Sequence, residues 1–372
     1  MSRPSIGQQE QYKALDAIRS GWISPHGPYV EEFEARFAEL CGARHALAVS
    51  SGTAALHLAL ASLRLRPGAE VIVPTLTYVA TANVVRYMGA EPVFVDVHAA
   101  SWCIDAAKVA DALTAKTRGI IAVDLYGHPA DMTPLLALAA EHDIWVVEDA
   151  AEAVGATYAG RPVGNKATVS AFSFFGNKIV SCGQGGALTV NDDDTYARAR
   201  RLRNQGRDGS GHPYEAAEVG FNYGLSNVSC AILCAQLDRL DEMLSARRAV
   251  IRYYESSLGR NEAVGLRPRP GNGDASAPWL AAATFGTGAS PDLRDGLARS
   301  LDEAGVETRP FFHPLHLMEP YRSSLCAGPL DVSVRLAQSG LTLPTYVGLP
   351  LHDVDAVCRH VLHYLGRDTL GC

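Results

Sequence analysis

One lysine in this chain stands where its amine could do covalent chemistry. The 33 basic residues include only five lysines, Lys13, Lys108, Lys116, Lys166 and Lys178. The first four lie in polar or helix-surface surroundings, where a solvated charge is sufficient explanation. Lys178 instead closes the run Phe172-Ser173-Phe174-Phe175-Gly176-Asn177-Lys178 and is followed by Gly183-Gln184-Gly185-Gly186. Apolar and aromatic neighbours on one side and a glycine turn on the other would partly desolvate its side chain. Only a lysine amine can lose its proton and attack a carbonyl; a guanidinium cannot. Lys178 therefore reads as a Schiff-base lysine.

Four further features would complete a site for pyridoxal 5′-phosphate (PLP). Ser50-Ser51-Gly52-Thr53 lies where a strand gives way to a helix, so Gly52 and Thr53 could cradle a phosphate with first-turn N–H groups and a hydroxyl. An ordinary Ser/Thr helix cap is the other reading of the same residues. In Glu148-Asp149-Ala150-Ala151-Glu152, a carboxylate at a strand end could pair with a pyridinium nitrogen, or simply face water. Tyr78 could stack on the cofactor ring or belong to the core. Ser173, five residues before Lys178, could donate to the phosphate. Each feature is ambiguous alone; their order and joint occurrence make the case.

These residues need elements to position them, and the chain supplies an alternating pattern. After amphipathic helices over 8–19 and 30–40, short apolar runs at 46–49, 71–73, 92–97, 119–123 and 144–147 alternate with helical stretches at 54–62, 78–87, 106–113 and 133–142. Two more strands, 168–174 and 187–190, bracket Lys178. Continuous apolar strands between helices predict an α/β fold, a mostly parallel sheet covered on both faces that binds ligands at the carboxyl ends of its strands. A charged helix over 193–204 and a long one over 227–258 follow. The Pro- and Gly-rich stretch 268–278 marks a change of unit. The expected division is a large domain, 1–258, and a small C-terminal α/β domain, 259–372, with a strand at 281–285 and helices at 292–304, 331–339 and 353–365.

Composition narrows the function. A net charge of −7 and a pI near 5.9 give no reason to expect nucleic acid as a partner. Eight cysteines at 41, 103, 182, 230, 234, 326, 358 and 372 form no Cys-x-x-Cys pair. His313 with His316, and His360 with His363, lack a third ligand at a telling spacing, so no metal is expected. The N-terminus lacks the apolar stretch of a signal peptide, and no apolar run reaches the ~18 residues of a membrane span. The expectation is a cytoplasmic protein away from the membrane.

Several blocks in order resemble the PLP-dependent sugar-nucleotide aminotransferases, the StrS-like branch of the aspartate-aminotransferase fold. They include Ser51-Gly52-Thr53-Ala54-Ala55-Leu56, Pro74-Thr75-Leu76-Thr77-Tyr78, Glu148-Asp149-Ala150-Ala151-Glu152, residues 173–186, Gly220-Phe221-Asn222-Tyr223 and Gln236-Leu237-Asp238-Arg239-Leu240-Asp241. The resemblance spans nearly the whole length. The run ending in Lys178, with Glu307-Thr308-Arg309-Pro310-Phe311-Phe312-His313, is most similar to GDP-perosamine synthases and related 4-aminotransferases.

The resemblance implies a fold type I PLP enzyme with a seven-stranded sheet. Lys178 would be the Schiff-base lysine and Asp149 the partner of the ring nitrogen. Glu152 would lie near the ring's 3′-oxygen, Tyr78 would stack, and Gly52, Thr53 and Ser173 would hold the phosphate. Asn222 would reach the phosphate of a neighbouring subunit, making a homodimer with composite active sites. His313 would line the sugar pocket. The implied substrates are L-glutamate and a keto sugar nucleotide, with GDP-4-keto-6-deoxymannose, giving GDP-perosamine, ahead of 3- or 4-keto sugars linked to dTDP or UDP.

Two departures stand out: Gln184 replaces a glutamate common in the glycine turn, and Gly224-Leu225 replaces an Arg-Met pair. An NAD-dependent epimerase or dehydratase would need an early Gly-x-Gly-x-x-Gly and a Tyr four residues before its lysine, and neither occurs. A PLP-binding regulator without turnover is the non-enzymatic alternative, although no attached DNA-binding unit or basic tail is evident.

Overall fold

A computed structural model describes residues 2–368 except 208–211, 213, 272, 287, 289 and 290. The seven expected strands are β1 (His45–Val49), β2 (Glu70–Pro74), β3 (Glu91–Val95), β4 (Thr117–Val123), β5 (Trp145–Asp149), β6 (Val169–Ser173) and β7 (Gly186–Val190). They lie in the order β1-β7-β6-β5-β4-β2-β3, and Leu325–Cys326 adds a short eighth strand parallel to β3. Only β7 runs against its neighbours, pairing antiparallel with both β1 and β6. Strands β2, β6 and β7 are buried at every position, which is why their sequences show no regular alternation of apolar and polar residues.

This arrangement brings the chemistry together. Asp149 ends β5 and pairs in register with Ala171 of the neighbouring parallel β6. Lys178 follows β6 in the reversal that leads into β7. Ser51 caps the helix Gly52–Ser62 by accepting from the Ala54 N–H at 3.0 Å. Gly186 starts β7 hard against that cap: a Cβ there would collide with the Ser51 carbonyl. Three loops are thus held at one end of the sheet by backbone contact.

The helix Pro28–Cys41 supports the Lys178 reversal from behind. Its Phe37 meets Phe172 and Phe174 edge-on, with centroids 4.9 and 5.3 Å apart, and Phe33 meets Phe174 at 5.4 Å. Such edge-to-face pairs add stabilisation beyond the area they bury. They fix alternate residues of the strand from which Lys178 emerges.

The expected long helix is two, Asn227–Asp238 and Leu240–Leu258, broken at Arg239 (φ −113°, ψ 12°). The Arg239 guanidinium reaches Glu10 of the first helix, Gln8–Ser20, at 2.9 Å and Glu242 at 3.1 Å. Leucine spacing runs through this break and does not report it. The second of the two helices gives Val250, Tyr254 and Leu258 to a separate core, shared with Leu297, Leu301, Val354 and Val361. That core backs a four-stranded antiparallel sheet ordered Val264–Leu266, Ala281–Phe285, Gly340–Leu343, Arg309–Pro310. Apart from Ala281–Phe285 these strands are two to four residues long, too short for periodicity to show. Tyr78 precedes the helix Ala80–Tyr87 rather than beginning it.

No helix among the described residues is long and apolar enough to cross a membrane. Cys372 lies outside the described residues, and the other seven cysteines are free thiols.

Phe37 is fully buried at the centre of the aromatic cluster. Phe37→Ala should cost about 3–5 kcal/mol in denaturant unfolding, the range for emptying a phenylalanine site in a packed core. It should also weaken PLP retention, because Phe174 loses its backing. An unchanged unfolding midpoint would mean that the cluster does not hold this region.

Candidate active site

A cavity of about 410 Å³ opens at the carboxyl end of the sheet and is lined by Gly52, Thr53, Tyr78, Asp149, Glu152, Ser173 and Lys178. Seven of the nine residues singled out in the sequence therefore share one wall. Lys178 is nearly buried, its side chain only 14% exposed. Its Nζ lies 3.5 Å from Glu152 Oε1 and 3.8 Å from the centroid of the Trp279 ring. Burial lowers its pKa, and the carboxylates of Glu152 and Asp149 oppose that shift. Such an amine gives up its proton more readily than an ordinary lysine.

The two carboxylates are held differently. Glu152 Oε2 accepts the Tyr126 N–H at 2.6 Å, and burial pushes its pKa up to about 6 against the pull of Lys178. Asp149 accepts from the Thr81 hydroxyl at 2.8 Å and more loosely from the Ala151 N–H at 3.3 Å. Burial raises its pKa, while Thr81, Ala151 and Lys178 draw it down. No cation among the described residues lies within ion-pair distance of Asp149. A buried carboxylate with two donors and no ion pair fits a protonated ring nitrogen.

The phosphate end also fits. The Gly52 and Thr53 N–H groups fall in the first helical turn, where no intrahelical carbonyl can reach them. Gly52 packs so close to Ser173 that a Cβ would come within 2.8 Å of the serine Cβ. Main chain and the Ser173 hydroxyl thus converge on one spot, at a helix end whose dipole favours an anion. Tyr78 is 59% exposed, its ring 5.8 Å from that of Phe312. Stacking on a ligand would cover it.

Asn222 and His313 are exposed and do not line this cavity. The two segments that carry them pass elsewhere on the same chain: Asn222 forms a backbone bridge with Asn204, and His313 precedes Pro314 on the way to His316. It is His316 whose Nδ1 meets Thr75 Oγ1, at 2.7 Å.

Over residues 4–362 the sequence matches the model of one protein family. The chain belongs to the DegT/DnrJ/EryC1/StrS aminotransferase family. Members of this family depend on PLP, so the chain is a PLP-dependent aminotransferase. It is 43% identical over 357 residues to the GDP-perosamine synthase of Caulobacter vibrioides, covering 96% of this chain and 95% of that protein. The GDP-perosamine synthase of Vibrio cholerae is 36% identical over 364 residues, 97% of each chain. The PLP-form structure of Spr1654 of Streptococcus pneumoniae superposes with a TM-score of 0.92 at 27% identity over 98% of each chain.

Trp279 and Tyr126 also line the aminotransferase cavity, and Arg247 and Thr81 support its walls; sequence reasoning missed all four. Trp279 covers Lys178, its indole N–H donating to the Asn177 carbonyl at 2.8 Å. The buried Arg247 donates to the Trp279 and Thr345 carbonyls, both at 3.0 Å. Tyr126 adopts positive φ (50°), so that its N–H meets Glu152 while its hydroxyl accepts the Phe312 N–H at 3.0 Å. Thr81 was visible only as a helix residue. The sparing use of tryptophan, four in the chain, was a signal that could have drawn attention to Trp279. Gln184, the departure in the glycine turn, lines the cavity.

Borohydride reduction of the PLP-loaded protein should fix the cofactor to Lys178. Peptide mapping to Lys166, or to no lysine, would discard the assignment. Lys178→Arg should keep the charge yet lose fixation and turnover. An ammonium over an indole face gains about 0.5–2 kcal/mol. Trp279→Leu removes stabilisation of the charged form, so the Lys178 pKa should fall further below that of an ordinary lysine. In apo-protein, PLP capture should then begin at lower pH than in wild type, whereas Trp279→Phe should shift it less.

Proposed function

We propose that this aminotransferase transfers an amino group from L-glutamate to GDP-4-keto-6-deoxymannose, giving GDP-perosamine, as a cytoplasmic homodimer with composite active sites. The observation that carries the chemistry is the convergence of a desolvated Lys178, a buried Asp149 and a helix-end phosphate cradle on one cavity. The choice of sugar is supported by two relatives named GDP-perosamine synthase, similar over nearly the whole chain.

When bound, PLP supplies an electron sink that makes the α-proton of the amino donor removable. The chain's residues do the rest. Lys178 Nζ takes up and returns that proton as a neutral amine, its basicity already lowered by burial. Glu152, ionised above pH about 6, holds the lysine when it is charged and keeps it within the cavity. Asp149 keeps the ring nitrogen protonated, and Thr81 fixes the carboxylate's orientation. Gly52, Thr53 and Ser173 anchor the phosphate, and Tyr78 covers the ring. Asn222 completes the phosphate site of the partner, and His313 contributes on the sugar side. The exposure of both residues in a single chain is compatible with roles outside their own cavity.

Purified protein supplied with glutamate and GDP-4-keto-6-deoxymannose should convert the ketone to a primary amine, detected by mass spectrometry of the nucleotide product. Conversion of a dTDP- or UDP-linked keto sugar in its place would move the assignment to those substrates. No turnover on any of them, with PLP bound, would leave a regulator. Asp149→Asn should retain PLP but lose most of the rate, since an amide holds a ring N–H⁺ poorly; a near-normal rate would remove Asp149 from the chemistry.

Dimeric sites make a further prediction. Lys178→Ala and Asn222→Ala, each inactive alone, should on subunit exchange form heterodimers with one intact site. For random exchange and independent sites, activity should recover to about a quarter of wild type. Verified exchange without recovery would confine Asn222 to its own subunit.

A further inference from the structure

A second cavity, of about 320 Å³, lies behind the active site and shares two wall residues with it, Tyr126 and Leu280. Its size is that of a small-ligand site. Four arginines line it, Arg248, Arg252, Arg267 and Arg269, against two carboxylates, Glu255 and Asp274. Both carboxylates are engaged. Glu255 pairs with Arg269 at 2.7 Å, and Asp274 accepts the Ala159 and Gly160 N–H groups at 2.7 and 2.9 Å.

The other three arginines lie within ion-pair distance of no carboxylate among the described residues. Arg248 donates only to the Gly155 carbonyl, at a long 3.4 Å. Arg267 donates to two carbonyls, Leu125 at 2.6 Å and Tyr126 at 3.1 Å. The remaining lining is largely apolar, with Ile251, Leu258, Leu266 and Leu343. A concave wall with excess guanidinium charge beside apolar surface suits an anion with a compact organic body. Guanidinium groups bind phosphate oxygens in paired hydrogen bonds, more strongly than neutral donors do.

We infer that this cavity is a regulatory site for a phosphate-bearing anion, of the class to which nucleoside diphosphates belong, separate from the catalytic cavity. Its coupling to catalysis follows a chain of polar contacts through the shared wall. Arg267 holds the Leu125 and Tyr126 carbonyls, the Tyr126 N–H holds Glu152, and Glu152 holds Lys178. An anion that draws the Arg267 guanidinium toward the cavity loosens its grip on the Leu125–Tyr126 turn. That displaces the donor that fixes Glu152. The inference does not depend on which keto sugar is the substrate.

The test uses PLP-loaded protein and inorganic pyrophosphate, titrated by calorimetry with amino donor present, then repeated with adenosine diphosphate. One pyrophosphate per chain is expected, with a shift in the visible band of the bound cofactor. Arg252→Ala and Arg248→Ala should each weaken binding at least about tenfold and abolish the shift, while leaving turnover without pyrophosphate unchanged. Tighter binding of adenosine diphosphate than of pyrophosphate would identify a nucleotide ligand; equal binding would identify the diphosphate alone. Absence of saturable binding, or equal affinity in wild type and both variants, would overturn the proposal. Binding without the cofactor shift would overturn the regulatory part.

Discussion

Everything at this site turns on keeping three ionisable groups, Lys178, Glu152 and Asp149, out of water in one cavity. Burial alone would neutralise all three, lowering the amine and raising both acids. The attraction between Lys178 and the two carboxylates pulls the other way, and the net effect leaves the amine easier to deprotonate than an ordinary lysine. The two acids do not compete for the lysine on equal terms. Glu152 has the close contact with the lysine, whereas Asp149 is held by the Thr81 hydroxyl and the Ala151 N–H and forms no ion pair with it. That asymmetry divides the labour: one carboxylate manages the lysine and the other is left for a cationic ring.

Holding charges there requires a frame that does not yield. The sheet supplies it by placing Asp149 and the origin of the Lys178 reversal on adjacent parallel strands, so their separation is set by strand spacing. The antiparallel β7 then returns the chain directly under the Ser51 cap, where only glycine fits. A phosphate cradle, an acid and an amine are thereby fixed by three different segments that meet at main-chain distance.

Much of this was legible in the residues. Burial on both faces makes parallel strands read as unbroken apolar runs, so β1 to β7 could be placed to within about two residues. Lys178, Asp149, Glu152 and the Ser51-Gly52-Thr53 turn announced themselves because their residue types are costly or unusual in apolar surroundings. Trp279, Arg247, Thr81 and Tyr126 did not. A tryptophan after a proline, an arginine within a helix and a threonine in a helix's first turn all have ordinary explanations, and only three-dimensional proximity gives them another. The short strands Arg309–Pro310 and Leu325–Cys326 carry no periodic signal at all. The break at Arg239 is hidden for a related reason: it depends on Glu10, more than two hundred residues away in the chain.

Among the residues that sequence reasoning missed, Arg247 explains how Trp279 is held. Arg247 is buried without a carboxylate and spends its donors on the carbonyls of Trp279 and Thr345 and on Ser2. Burial lowers its pKa to about 10, still far above neutrality, so it stays charged. A buried guanidinium is expensive unless its hydrogen bonds are made. That cost penalises any movement separating the long helix, the Trp279 segment and the strand Gly340–Leu343 with its following turn. Trp279 is therefore held over Lys178 by a contact whose loss would strand a charge. The small antiparallel sheet and the catalytic lysine are coupled through one side chain that touches neither substrate nor cofactor.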